Sequence, residues 1–360
     1  MTFDNSTFPT HDDTAEARSV SSMTRERPTN AFAREKNMLL GYAPARAAGA
    51  APVPKDATPR QAFAAANADF TVEKRPLSYM GEDGPRTSKC VSIVRTDTHK
   101  EVGVTGPNYP PFQMEYVMRV FDFLREDATI DNIMTFGHGE KVVVTASLNL
   151  TEEVTEGDPI LRFIHAYNSF DGSTGFGFHF SDLRWVCSNQ MRFITGKGGK
   201  TAAKEGRGIH WKHSKSAEQN LEALPQLIDL EQQRFHKGIE ELRLLPGKQL
   251  TREATKAILE HTYADKLAVP IKDKDTHKMR PRLLSDLPEI DRIRALYGGQ
   301  GIGIEKDLYG FFNAITQFET HEQGRAKDET ARARARLESL WGGAGAGRIE
   351  RAREVCLSFA

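Results

Sequence analysis

Apolar residues follow different periods in different parts of the chain, and the change of period divides it. From about Cys90 the sequence consists of short segments rich in β-branched and aromatic residues, separated by turn signals. CVSIVR (90 to 95) and EVGVTG (101 to 106) predict a strand pair. Between Phe112 and Arg125, residues Phe112, Tyr116, Val117, Val120, Phe121 and Leu124 fall at helical spacing and predict an amphipathic helix. IDNIMTF, GHGE and KVVVTASLNL then predict a hairpin in which Val142, Val144, Ala146 and Leu148 share a buried face. A strand is expected over Pro159 to Asn168, with a turn at Ser169 to Ser173 whose Asp171-Gly172 pair suits positive φ. TGFGFHF alternates, placing Phe176, Phe178 and Phe180 on one face and Gly175, Gly177 and His179 on the other. LRWVCSNQMRFI (183 to 194) reads as a strand end followed by a helix over 188 to 195, capped by Ser188 or Asn189.

From about Ser214 the period becomes helical. Helices are expected over Ser216 to Leu245, Thr251 to Leu267, Leu287 to Tyr297, Lys306 to Phe318, Asp328 to Trp341 and Arg348 to Leu357. Pro225, Pro246-Gly247 and the run from Gly298 to Gly303 are the breaks. Residues 1 to 80 carry Ala- and Pro-rich clusters such as APARAAGAAPVPKDATP and predict a mostly disordered arm, with a short helix possible over Ala31 to Tyr42. The expected fold class is therefore α+β: an antiparallel sheet with flanking helices (81–215), a helical C-terminal region (216–360) and the arm (1–80).

Composition narrows the function classes. The chain has 360 residues, with Lys+Arg 49 against Asp+Glu 49, so no whole-protein field draws it to nucleic acid or an anionic membrane. Three widely spaced cysteines, Cys90, Cys187 and Cys356, fit a reducing compartment rather than a disulfide framework. No apolar run approaches the ~18 residues of a spanning helix. The first residues, MTFDNSTFPTHDD, lack the order of a signal peptide, so a cytoplasmic setting is expected.

Motifs that suggest catalysis fail on their neighbours. Gly199-Lys200-Thr201 ends like a phosphate loop, but Ile194 stands where the first glycine is needed. Gly299-Gln300-Gly301-Ile302-Gly303 is followed by Ile304 where a dinucleotide fingerprint needs its last glycine. His210 and His213 have no Cys pair or further histidine to complete a metal site, and neither a metal nor a cofactor is expected. His138 with Glu140 reads as turn chemistry, and Cys187, in an apolar strand end, as core. The Phe176, Phe178, Phe180 stripe reads as core before it reads as a stacking platform. The remaining signal is electrostatic. Between Arg192 and Lys215 stand seven cations, Arg192, Lys197, Lys200, Lys204, Arg207, Lys212 and Lys215, against one anion, Glu205. Five glycines lie between Gly196 and Gly208, and Trp211 is adjacent. Such a strap can follow a phosphate chain by releasing counterions, with the indole stacking on an unpaired base.

GVTGPNYPPFQMEYVMRVFDFL, GEKVVVTASLNL, HAYNSFDGSTGFGFHFSDLRWVCSNQM, IHWKHSKSAEQNL and LYGFFNAITQFETHEQGRAKDETARARARLESLWGGAG, in that order, resemble the blocks of the phage- and plasmid-encoded family called domain of unknown function 932. The resemblance spans about residues 80 to 357. It implies a mobile-element protein in a bacterial cytoplasm and carries no activity with it. It singles out Asn168, Asp171, Gly172, Arg184, Cys187, Asn189, Asn313 and His321. Position 170 is Phe where the family often has histidine, so no catalytic role transfers there. Ser188-Asn189-Gln190 likewise replaces a common Gln-Asn-Thr.

The succession helix, antiparallel strands, basic loop is also similar in topology to phage and eukaryotic single-strand annealing proteins, which assemble into rings or filaments. The expectation is a non-enzymatic protein that binds and anneals single-stranded DNA as a homo-oligomer, with no membrane partner. Arg192, Lys197, Lys200, Lys204, Arg207 and Lys212 would contact phosphates, and Trp211 would stack. The alternative is a protein-interaction module whose helical half binds a host or phage partner.

Overall fold

The computed structural model describes residues 49–54, 56–124, 127–173, 175–184, 189–191, 209–211, 224–324 and 328–360. The possible helix over 31 to 42 and the cationic run from Arg192 to Gly208 lie outside them, as do Cys187, Lys212, His213 and Lys215.

The described residues bear out the α+β class. The main sheet contains β1 (Ala51–Pro52), β5 (Ala128–Phe136), β6 (Lys141–Glu153), β7 (Pro159–Ser169), β8 (Phe176–Arg184) and β10 (Ile209–Trp211), antiparallel in that order, with β9 (Asn189–Met191) also on β8. A three-stranded sheet comprises β2 (Val72–Gly81), β3 (Gly84–Arg95) and β4 (Glu101–Thr105). Helix α1 (Pro59–Ala65) and α2 (Met114–Phe123) cover one face of the main sheet. The alternating positions explain this layer: Val142, Val144, Ala146, Ile164, Ala166, Phe176, Phe178 and Phe180 meet Phe63, Val117, Val120 and Phe121 in one core. The phenylalanine stripe is thus core, and Phe176 stacks on Phe112 at 4.7 Å.

The smaller sheet is fastened to the tips of the larger one. Gly103 of β4 lies so close to the 169–173 turn that a Cβ there would sit 2.3 Å from the Phe170 carbonyl oxygen. Phe170 is buried against Phe70 at 5.5 Å, and the Arg95 guanidinium covers the Phe70 ring and donates to the His138 carbonyl.

The C-terminal half contains α3 (Leu224–Leu242), α4 (Arg252–Thr262), α5 (Ala264–Leu267), a hairpin of β11 (Ile271–Lys272) and β12 (Met279–Arg280), α6 (Pro288–Ala295), α7 (Leu308–Gln317), α8 (Glu329–Gly342) and α9 (Ala344–Ser358). Helix α7 is buried along its whole length and forms the centre of this core. Helices α6 and α7 each run into a π turn, Leu296–Gln300 and Phe318–Glu322. In the first, Gly299 takes φ 125°, a conformation that a side chain would strain.

Two expectations change. The ordered fold begins well before residue 80. Thr58 caps α1 in a box with Gln61, Pro59 opens the helix, and Ala62 and Phe63 are fully buried, so an Ala-rich stretch is ordered by two core contacts. Strand β2, mostly exposed, owes its order to cross-strand pairing with β3 rather than to its own apolar pattern. The helix expected over 188 to 195 is also absent where described: Asn189–Met191 is a strand, because pairing with Arg184, Leu183 and Asp182 outweighs local helical spacing.

Candidate functional site at the interrupted sheet edge

The outer edge of β8 is paired twice. β9 sets Asn189, Gln190 and Met191 opposite Arg184, Leu183 and Asp182, and β10 sets Ile209, His210 and Trp211 opposite Phe178, Gly177 and Phe176. Both run antiparallel to β8, so they are two pieces of one edge strand. Between them His179, Phe180 and Ser181, paired on their inner side with His165, Ile164 and Phe163 of β7, lie outside both the β9 and the β10 registers. The anchor positions, opposite Asp182 and Phe178, are four residues apart on β8, about 13 Å. The 17 residues 192–208 are therefore inserted where three would continue the strand.

From that gap a polar row runs inward across the sheet face opposite the phenylalanine core. The registers align His179, His165, Thr145 and Asn132 across β8, β7, β6 and β5. His165 is fully buried and bonded on both ring nitrogens, Nδ1 to Thr145 Oγ1 at 2.9 Å and Nε2 to Ser181 Oγ at 2.6 Å. The His179 ring lies 4.8 Å from that of His165, with Tyr167 beyond it at 6.0 Å.

At the inner end, a register shift between Ile130 and Asn132 brings two consecutive polar residues to this face. Asp131 accepts from Ser147 Oγ at 3.3 Å, while its Oδ2 and both amide atoms of Asn132 have no partner among the described residues. Burial raises the Asp131 carboxyl from its ordinary 3.8 to about 8, with the Ser147 bonds opposing, so it is predominantly neutral at pH 7. Apolar rows flank the polar one: Met134, Phe163, Leu161 and Leu183 pack with Ala50, Ala333 and Leu337, bringing α8 over this face.

Chemically this row is a set of hydroxyl, imidazole, amide and carboxyl donors and acceptors. Ser181 and His165 have the contact of a hydroxyl with a general base, but Thr145 occupies the place of an orienting carboxylate. A hydroxyl can fix the tautomer of an imidazole yet cannot stabilise the imidazolium as an anion does. Among the described residues no group of three His, Cys, Asp or Glu side chains is arranged to hold a metal ion.

The opposite face of β8 carries the charges. Arg162, 1% exposed, donates to Asp182 at 2.9 Å and to Glu231 of α3 at 2.8 Å, with its guanidinium 5.0 Å from the Phe180 ring and 5.2 Å from that of Phe235. Arg184 Nε is shared between the two oxygens of Asp158 at 2.7 and 2.9 Å and Nη2 donates to the Gly303 carbonyl, while Tyr309 of α7 donates to the same Asp158 at 2.9 Å. These ion-pair networks bind the sheet to the helices.

The residues singled out by resemblance fall into two groups. Arg184 pairs in register with Asn189, and α7, which carries Asn313, packs on β9 together with the π turn that holds His321, so these four belong to elements that meet next to the insertion. Asn168, Asp171 and Gly172 sit at the other end of the sheet and are structural. Asn168 donates to the Phe112 carbonyl at 2.7 Å, Asp171 accepts from the Ser173 amide and hydroxyl, and Gly172 takes φ 73°. Of the proposed phosphate and base contacts, only Trp211 is described, at the β10 position opposite Phe176; Arg192, Lys197, Lys200, Lys204, Arg207 and Lys212 lie outside the described residues, as does Cys187. Sequence reading missed Asp131, Asn132, Thr145, His165 and Ser181. Their signal was the adjacent Asp-Asn pair, which breaks an alternating strand, and a histidine inside the apolar run LRFIHAY.

An antiparallel sheet packed by helices on both faces, with a cation-rich insertion in the sequence of its edge strand, defines an α+β fold. Residues 101–341, more than half of the chain, match the family model described as Domain of unknown function (DUF932), and the chain belongs to that family. No curated protein and no solved structure matches it. Among the described residues, no helix is long and apolar enough to cross a membrane.

Proposed function

We propose that the chain binds single-stranded DNA through the insertion 192–208 and, as an assembly of several copies, anneals complementary strands in the cytoplasm of a bacterial cell that carries a mobile element. The observation that supports this reading is the interruption of the edge strand. Five cations, Arg192, Lys197, Lys200, Lys204 and Arg207, against Glu205 alone lie in a segment tethered at both ends to one strand, with Trp211 the last residue of the second tether. Tethering at two points limits the entropy a basic segment loses on meeting a phosphate chain, so its charges act together. The rest of the chain carries a net formal charge of −4, which leaves one copy with few phosphate contacts, and repetition around an assembly multiplies them.

Anisotropy of a labelled single-stranded oligonucleotide titrated at several salt concentrations tests this. With five cations engaged per copy, log affinity falls with log salt at a slope of about −3.5. Absence of binding, or an affinity that does not change with salt, removes the proposal.

A further inference from the structure

Two exposed surfaces outside this site have opposite charge and apolar centres. The first is the end of the β2–β3 hairpin. Because β4 pairs only with Val91 to Val94, the pairs from Ser78–Thr87 to Gly81–Gly84 form a two-stranded ribbon beyond the third strand. A two-stranded ribbon is marginal in water by itself. This one carries Tyr79 at 56% and Met80 at 76% exposure, beside the exposed acids Glu82 and Asp83 of its turn; Arg86 pairs with Asp83 at 2.8 Å, so the tip keeps one net negative charge. Its edges resist strand addition: Pro76 and Pro85 lack an amide donor, and the register shifts between Pro76 and Ser78. What remains available for contact is the tip and its side chains.

The second surface is the β11–β12 hairpin. It is braced from within: Asp273 accepts from the Asp275 and Thr276 amides and from the Thr276 hydroxyl, and Arg280 forks onto Asp286 at 2.7 and 2.6 Å. The bracing occupies Arg280. Lys272, Lys274 and Lys278 are left exposed with no side-chain partner among the described residues, against one exposed acid, Asp275, and beside exposed Val269 and Met279.

We infer that the acidic, apolar tip of the β2–β3 ribbon docks on the basic, apolar β11–β12 hairpin of a second copy of this chain. Both surfaces are exposed within one chain, so each is free to meet its complement on another. The two patches differ, so the contact is head to tail, and each added copy presents a fresh tip and a fresh hairpin; such contacts build rings or filaments. This is the assembly that the strand-binding reading calls for, but it forms without nucleic acid and is tested without it.

Size exclusion with light scattering on the full chain, at low salt and without DNA, reads the result. Wild type assembles beyond a dimer, and assembly weakens as salt screens the contact. The variants Glu82→Lys/Asp83→Lys and Lys272→Glu/Lys274→Glu/Lys278→Glu are each monomeric, and their equimolar mixture assembles again because every junction regains opposite charges. Tyr79→Ser/Met80→Ser, which leaves the charges alone, raises the midpoint concentration of assembly at least tenfold. A monomeric wild type, variants that assemble like wild type, or two monomeric variants whose mixture stays monomeric overturns the inference. Should assembly follow this pattern while single strands fail to bind, the strand-binding reading falls and this one stands.

Discussion

Asp131 owes its position to one extra residue in β5. Without the irregularity at Ile130–Asn132, alternation would send either Asp131 or Asn132 into the phenylalanine core; with it both face the polar row, buried and incompletely bonded. The consequence is a pH dependence whose sign follows from burial. Unfolded, Asp131 releases its proton near its ordinary 3.8; folded, it keeps it to about 8. Across that window the unfolded chain binds fewer protons, so Asp131's contribution to stability is full below pH ~4, falls as pH rises, and levels off above pH ~8. The lost contribution is on the order of 5 kcal/mol across the window. Asp131→Asn keeps the shape and cannot ionise, so chemical denaturation of the variant between pH 5 and 8 should show this slope removed and stability at pH 8 raised. A wild-type slope left intact in the variant would assign the dependence to other groups. Asn132, with neither amide atom bonded among the described residues, belongs to the same set of unused donors and acceptors, and Asn132→Leu is not expected to reproduce the pH effect because it leaves the carboxyl in place.

At the scale of elements, the interrupted edge makes a separable prediction. β9 and β10 already lie in line along β8, so replacing residues 192–208 by three strand-forming residues lets Met191 continue through partners for Ser181, Phe180 and His179 to Ile209. Three new residues along the stretch between the two registers add ladder bonds, so the melting temperature of this variant should equal or exceed that of wild type, while its affinity for single strands drops at least tenfold. Retained binding would move the interface elsewhere on the molecule. The same elements mark what could be read from sequence. Strands β5 to β8 and the helices were legible because apolar residues such as Val142, Val144, Phe176, Phe178 and Phe311 repeat with the period of the element and end up in the core. β9 was not: Asn189-Gln190-Met191 has no strand pattern of its own and is ordered by the neighbour it meets in space. β2 was missed for a related reason, since Lys74, Arg75 and Pro76 are exposed and only pairing with β3 orders them. The charge of the insertion was visible in sequence, whereas its two tethers on one strand were a property of the fold.

Across the whole molecule, the sheet and the helical half share buried charges instead of a purely apolar seam. Arg162 bridges Asp182 of the sheet to Glu231 of α3, and Asp158 is held by both Arg184 of β8 and Tyr309 of α7. Burial makes these pairs unequal in consequence: replacing an entire network with apolar groups can be nearly neutral, but removing one member strands its partners. Arg162→Ala leaves the Asp182 and Glu231 carboxylates without that guanidinium in a dry interface and should cost about 3 to 5 kcal/mol. The two networks lie on neighbouring positions of β7 and β8, so they hold the same seam, and the cost of losing them falls on the coupling between halves as well as on total stability. Wild type should therefore unfold in one calorimetric transition, and Arg162→Ala combined with Arg184→Ala should separate it into two, the later belonging to whichever core survives alone. A single sharp transition in the double variant, shifted down but not split, would show that the apolar contacts of Val154 and Ile160 with the helical core suffice to make the molecule one cooperative unit.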